Sequence, residues 1–183
     1  IREALNKCDT YIEDFEVVVA DSREDYIKQL NEDEIEQMDI KGYPVNPKFT
    51  FESFVVGSSN EFIYAAAKAV AENPGDSYNP LFIYGGTGLG KTHILMAIAN
   101  YLRIKKPGLN VLYATCEQFT NQLIESISQG KNNGADFRKK YRNVDVLLVD
   151  DVQFLAKKQA VQTEFFHTFN ELVMNNKQVV LTS

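Results

Sequence analysis

Cysteine is scarce in this chain, and a membrane-length apolar run is missing. Only Cys8 and Cys116 occur, far apart and in unlike surroundings, which excludes a disulfide-stapled scaffold and points to a reduced, cytoplasmic setting. No segment approaches the roughly 20 consecutive apolar residues that a membrane helix needs. The opening residues lack the basic-then-apolar pattern of a signal peptide. Histidine is also rare. His93 and His167 have no cysteine or carboxylate at zinc-site spacing around them, so both read as structural. There are no internal repeats. What remains, 183 residues at 44% hydrophobic and 24% charged, suits one globular domain with an appendage.

Charge divides the chain. Residues 1–46 hold 5 Lys and Arg against 13 Asp and Glu, whereas residues 47–183 hold 14 against 12. The net charge of -6 therefore belongs to the first segment, and the main body is free to meet an anion. Within the acidic piece, FEVVVA (15–20) has the composition of a short strand. Ser22 and Asp25 have capping-box spacing ahead of a helix, and GYPVNP marks a break. An acidic run of this kind is usually a solvated linker.

Beyond residue 50 the pattern alternates. SNEFIYAAAKAVAENPG predicts a helix capped by Ser59 or Asn60 and ended by Asn73-Pro74. LFIYG, NVLYAT, VDVLLVDD and QVVLTS predict strands. THILMAIANYLRIKK, CEQFTNQLIESISQG and VQTEFFHTFNELVMNN predict helices between them, with DFRKKYRN a basic helical turn. Such alternation implies an α/β fold, a parallel sheet with helices on both faces.

GGTGLGKT, at residues 85–92, follows one of these strands and opens one of these helices. Gly85, Gly90, Lys91 and Thr92 fit the phosphate-loop pattern, in which glycines turn backbone N–H groups around an anion and the helix adds its positive end. In that pattern the lysine reaches the β and γ phosphates, and the threonine hydroxyl binds Mg²⁺. A plain glycine-rich turn would need neither Lys91 nor Thr92. The strand VDVLLV then ends in Asp150 and Asp151. Buried strands avoid carboxylates, because an unpaired buried charge is costly. A second strand of a P-loop enzyme carries such an aspartate for Mg²⁺ at the carboxyl edge of the sheet, and Asp151 would then orient or deprotonate a water.

NPLFIYGGTGLGKTH, FRKKYRNVDVLLVDDVQFLAKK and FFHTFNEL are similar, almost word for word, to the AAA+ ATPase domain of the bacterial chromosomal replication initiator family, DnaA. FTFESFVVGSSN resembles that family's lead-in to the domain. The resemblance covers residues 46–183, an AAA+ nucleotide-binding domain; residues 1–45 are then an acidic linker or the remnant of an N-terminal interaction domain. Related helicase loaders share the phosphate loop and a similar lead-in, but not the whole set of phrases.

The resemblance implies ATP or ADP with Mg²⁺ as cofactors and slow, switch-like hydrolysis, with the isolated segment binding nucleotide and hydrolysing it poorly. Gly86, Thr87, Gly88, Leu89 and His93 would join the loop residues at the nucleotide. Asp150 would be the Walker B metal residue, and Asp151 would stand where many AAA+ proteins carry glutamate. Val55, Val56 and Gly57 would border the adenine, with core packing the alternative for the valines. An extra helical element, EQFTNQLIESISQGKNNGADFRKKYRN, would line a single-stranded DNA channel. Ile124, Lys157 and Lys158 fall where family members touch that strand, although Ala160 replaces a basic residue common there. The alternative for these lysines is ordinary solvation, and RKKYR (138–142) is either a basic patch or a solvated helix face.

The function implied is ATP-dependent initiation of chromosomal replication, through assembly on origin DNA and duplex opening. The partners implied are origin DNA, single-stranded and duplex, further copies of the protein, the replicative helicase and acidic phospholipids. The fifth strand, the sensor residues, the arginine finger, the helical lid and a duplex-binding domain would follow Ser183, leaving the phosphate-loop strand as a bare edge. Rival readings are a helicase loader of related fold, a small-molecule kinase (for which no acceptor pocket is evident) and a nucleotide-gated scaffold.

Overall fold

The computed structural model describes residues 41–42, 44–128, 133–156 and 158–183. The strand and helix expected before residue 41 lie outside them, as does Lys157. The described elements are β1 Lys41–Gly42, α1 Glu61–Glu72, β2 Leu81–Ile83, α2 Lys91–Lys105, β3 Val111–Thr115 and α3 Cys116–Ser128. They continue with α4 Asn133–Arg142, β4 Val146–Asp150, a 3-10 turn Val152–Leu155, α5 Gln159–Met174 and β5 Gln178–Thr182. All pairings are parallel, in the order β1-β3-β4-β5-β2.

The continuous apolar runs of β3, β4 and β5 reflect burial on both faces. Val111, Tyr113, Val146, Leu148 and Val180 point to one side, where they pack with Val70, Leu95 and Ile98 of α1 and α2. Leu112, Ala114, Leu147, Val149 and Val179 point to the other, toward Phe119, Tyr141 and Leu172 of α3, α4 and α5. Neighbouring residues of one strand thus serve two cores, as the two-residue period of a strand requires.

Two details depart from the sequence expectations, and a third adds to one of them. The sheet has one more strand than expected: Lys41 and Gly42, in the stretch read as linker, pair with Leu112 and Tyr113. Asn60 precedes α1, but its side chain makes no cap bond to the helix. It turns back instead, accepting from Gly57 N at 2.8 Å and donating to Val55 O at 3.0 Å. The basic run 138–142 is a solvated helix face at Arg138, Lys139 and Lys140, as expected, but its two arginines are held in ion pairs. Arg138 and Arg142 both pair with Glu164 of α5, at 3.1 and 2.8 Å, and Lys140 donates to Gln122 of α3 at 2.9 Å. These contacts fix α4 against its two neighbours, with Tyr141 buried beneath.

As expected, β2 is an edge strand, bonded to β5 alone among the described strands.

Asp145 gathers the entrances of three strands. Its Oδ1 accepts from Lys177 Nζ at 2.7 Å and its Oδ2 from Asn110 N at 2.9 Å, while its backbone carbonyl accepts from Gln178 N at 3.0 Å. The Lys177 hydrogen bond, then the Asn110 amide, hold its carboxyl below the ordinary value of 3.8. A depressed folded-state pKa contributes stability above the unfolded value, and that contribution is lost as pH falls through the folded one. Wild type is therefore expected to melt above Asp145→Asn at pH 7, with the two melting curves converging as pH falls below about 4. A pH-independent gap would remove the charge from the account.

Candidate functional site

β2 delivers the chain to the carboxyl edge of the sheet, and α2 carries it away. Between them the phosphate loop, Gly85, Gly86, Thr87, Gly88, Leu89, Gly90, Lys91 and Thr92, makes its turn. Positive φ occurs at Gly88 (+81°) and Gly90 (+84°) but not at Gly85 or Gly86, so only two of the four glycines serve the turn by that property. Gly90 has a second constraint, since a Cβ there would lie 2.9 Å from Phe54 Cε2. α2 begins without a side-chain cap and without an acidic residue in its first turn, so its first N–H groups and its positive end face the loop. Lys91 Nζ donates to Gly85 O at 2.8 Å and to Gly86 O at 2.9 Å, which holds its charge over the loop.

Asp150 ends β4 at 3% exposure. Three hydroxyls satisfy its carboxylate. Thr92 Oγ1 donates to Oδ2 at 2.8 Å, Tyr113 Oη to Oδ2 at 3.2 Å, and Thr182 Oγ1 to Oδ1. None of these donors is a cation. The phosphate-loop threonine and the strand-end aspartate are thereby joined across 58 residues of sequence.

Asp151 leaves the strand in the left-handed region, at φ 60° and ψ 49°. Its backbone N–H donates to Thr182 Oγ1 at 3.0 Å, and its Oδ1 accepts from Gln153 Nε2 at 3.0 Å. One aspartate is thus buried and the other stands at the rim. Thr92 and Asp150 offer two adjacent hard oxygens. That donor set fits Mg²⁺, which takes one or two protein oxygens and otherwise waters and phosphates. No cluster of three or more His, Cys, Asp and Glu exists among the described residues, so a full protein cage for a metal is not formed by them.

The lead-in segment packs on α2. Asn100 Nδ2 donates to Asn46 O at 2.9 Å and to Phe49 O at 2.8 Å. His93 Nε2 lies 2.9 Å from Thr50 O and 3.3 Å from Ser53 Oγ, with its ring stacked on Phe49 at 4.7 Å and edge-on to Phe54 at 5.2 Å. The imidazole is therefore committed to the lead-in, in keeping with a structural histidine rather than a residue that touches phosphate. Val55 and Val56 are 84% and 45% exposed, which removes the core-packing alternative for both.

Residues 45–183 match the family model of the bacterial DnaA ATPase domain. The chain belongs to that family. The chromosomal replication initiator protein DnaA of Thermodesulfovibrio yellowstonii is 58% identical over 144 residues, covering 79% of this chain and 32% of that protein. The chain thus spans about a third of the length of such DnaA relatives. Domain III of the replication initiation protein DnaA from Thermotoga maritima is 58% identical with a TM-score of 0.73, covering 77% of this chain and 58% of that one. A replication initiator DnaA bound to AMPPCP and single-stranded DNA is 45% identical with a TM-score of 0.71, covering 76% and 42%. The DnaC helicase loader shares the fold at 19% identity and a TM-score of 0.62, covering 74% and 76%.

The remaining candidates are on other elements. Ile124, on α3, is 56% exposed, and Lys158, just before α5, is exposed. α3 packs against the turn at Val152–Leu155, which follows the two strand-end aspartates in the chain. Cys116, at the start of α3, is buried, and burial pushes its thiol up, which makes it inert. Sequence reasoning did not single out Tyr113 or Thr182. Each is a hydroxyl side chain in a strand that flanks β4, a feature too common to point to Asp150 by itself. Tyr113→Phe keeps the buried ring and removes one of three donors from a buried carboxylate. It is expected to lower stability in urea unfolding by about 1–3 kcal/mol without changing the slope; superimposable curves would show that this bond carries no net stability.

Proposed function

We propose that this chain is the nucleotide-binding ATPase part of a bacterial chromosomal replication initiator. In this reading it binds ATP with Mg²⁺, assembles on origin DNA in the ATP state and promotes duplex opening, with slow, switch-like hydrolysis resetting the assembly. The observation that carries it is the Thr92–Asp150 hydrogen bond of 2.8 Å, which brings the phosphate-loop hydroxyl and the buried strand-end carboxylate together at one sheet edge. That edge is where open α/β sheets take ligands. The DnaA relative bound to AMPPCP and single-stranded DNA supports the same pair of ligands here.

Each residue has a part. The loop amides and the start of α2 meet phosphate oxygens, and Lys91 supplies the full positive charge. Thr92 and Asp150 would hold Mg²⁺, which when bound neutralises phosphate charge and favours transfer of the terminal phosphoryl group. Asp151, partly exposed at the rim, would orient a water and accept its proton. Val55, Val56 and Gly57 would border the adenine. Ile124, Lys157 and Lys158 would contact single-stranded DNA, the lysines through phosphates without reading sequence. Origin duplex, further copies of the protein, the replicative helicase and acidic phospholipids are the proposed partners of the longer protein. Among the described residues no helix is long and apolar enough to cross a membrane.

Lys91→Ala is expected to weaken binding of a fluorescent ATP analogue with Mg²⁺ by about 10-fold or more, the worth of one charged hydrogen bond. Equal affinity in variant and wild type would defeat the phosphate-loop assignment. Asp151→Asn, measured by single-turnover hydrolysis in the full-length protein assembled on DNA, is expected to slow the step by roughly 100-fold or more while nucleotide affinity is kept. A wild-type rate would take Asp151 out of the mechanism.

A further inference from the structure

We infer that Thr182 is a positioning residue that sets both aspartates of the site through a single hydroxyl. Its proton goes to Asp150 Oδ1, and its oxygen accepts the backbone N–H of Asp151 at 3.0 Å. The polarity is consistent, because a threonine hydroxyl has one proton to give and two lone pairs to receive with. Thr182 is 0% exposed, so water does not compete for either bond.

The sheet explains why this residue can do both. In register, Ile83 pairs with Thr182 on one side of β5, and Val149 pairs with Leu181 on the other. Thr182 therefore lies between the strand that enters the phosphate loop and the strand that ends in the aspartates. The residue after it is bonded to the loop, since Gly85 N donates to Ser183 O at 3.1 Å and Ser183 N donates to Ile83 O at 3.0 Å. The end of β5 is tied to the phosphate loop on one flank and to both carboxylate residues on the other.

Two consequences follow for the aspartates. The bond to Oδ1 fixes the carboxylate about its own axis, so that Oδ2 faces Thr92 and Tyr113. The bond to the Asp151 amide holds the left-handed turn by which Asp151 leaves the strand. Groups that orient a metal-binding side chain matter to the metal nearly as much as the side chain does. The inference rests on the proposed function for what the two carboxylates do, but its geometry can be tested without nucleotide.

Thr182→Val keeps the volume and removes the hydroxyl, while Thr182→Ser keeps the hydroxyl. In the ligand-free full chain, the Asp151 amide is expected to be protected from hydrogen exchange. Its exchange should quicken about 10-fold in Thr182→Val, as for the loss of one hydrogen bond, and return to the wild-type rate in Thr182→Ser. In a fluorescent ATP-analogue assay titrated with MgCl₂, the half-saturating Mg²⁺ should rise by about 10-fold or more in Thr182→Val. Affinity in EDTA should stay unchanged, and Thr182→Ser should restore the Mg²⁺ response. A purely structural threonine would lower the melting temperature of both variants and leave the Mg²⁺ dependence alone.

The inference is overturned if the wild-type Asp151 amide exchanges like an exposed loop amide, a result that needs no variant to fold. It is equally overturned if either readout is unmoved in Thr182→Val, or if Thr182→Ser fails to restore both. Wild-type protein that binds no nucleotide would instead remove the proposed function, and the exchange measurement alone would then decide the role of Thr182.

Discussion

A carboxylate buried to 3% exposure must be compensated, and the arrangement around Asp150 follows from how this is done. A lysine or arginine partner would neutralise it permanently and leave a poor ligand for a second cation. Three neutral hydroxyls, from Thr92, Tyr113 and Thr182, donate to its oxygens without bringing a countercharge. Each such bond to a charged acceptor is worth about 1.5–3 kcal/mol net of desolvation, so the three make burial of this carboxylate tolerable.

This solution requires a parallel sheet. The three donors come from α2, β3 and β5, elements that converge only because the strands run the same way and end at the same edge. The pairing of Thr115 with Asp150, and of Ile83 with Thr182, places the strand ends level. In β3, Tyr113 is two residues short of that end, which lets its long side chain reach forward to the carboxylate. An antiparallel neighbour would bring its opposite end to this edge. The crossover helices that parallel strands demand then bury both faces, and this is why β3, β4 and β5 read as near-continuous apolar runs.

Much of this was legible in the residues. Alternating apolar runs and amphipathic stretches located each helix and strand beyond residue 60, and GGTGLGKT followed by VDVLLVDD located the phosphate and carboxylate ends of the site. The rest depended on side-chain direction. Asn60 has a capping residue's identity, yet its amide serves Val55 and Gly57 because their backbone groups lie within reach behind the helix. RKKYR has the charge of a patch, but Glu164 and Glu171 of α5 pair with its two arginines. Lys41 and Gly42 lack any strand signature, and only the open edge of β3 gives them a place. Hydroxyls in strands are common enough that Tyr113 and Thr182 carry no message until Asp150 is seen between them.

The choice of aspartate at residue 151, where many AAA+ proteins carry glutamate, has a reason in the backbone as well as in the chemistry. At φ 60° and ψ 49° the residue occupies a region that aspartate and asparagine enter far more readily than other non-glycine residues. Its short side chain also closes a local bond with Gln153 Nε2, two residues on. A glutamate would strain the turn and carry its carboxylate past that partner. The turn in turn is held by Thr182, through the Asp151 amide. A backbone that leaves the strand this sharply separates two adjacent carboxylates into a buried one and a rim one, and the shorter acid is what this geometry tolerates. Under the proposed function, a slow hydrolytic step would follow from this turn, because the residue that can adopt the turn is the one whose carboxylate reaches least far.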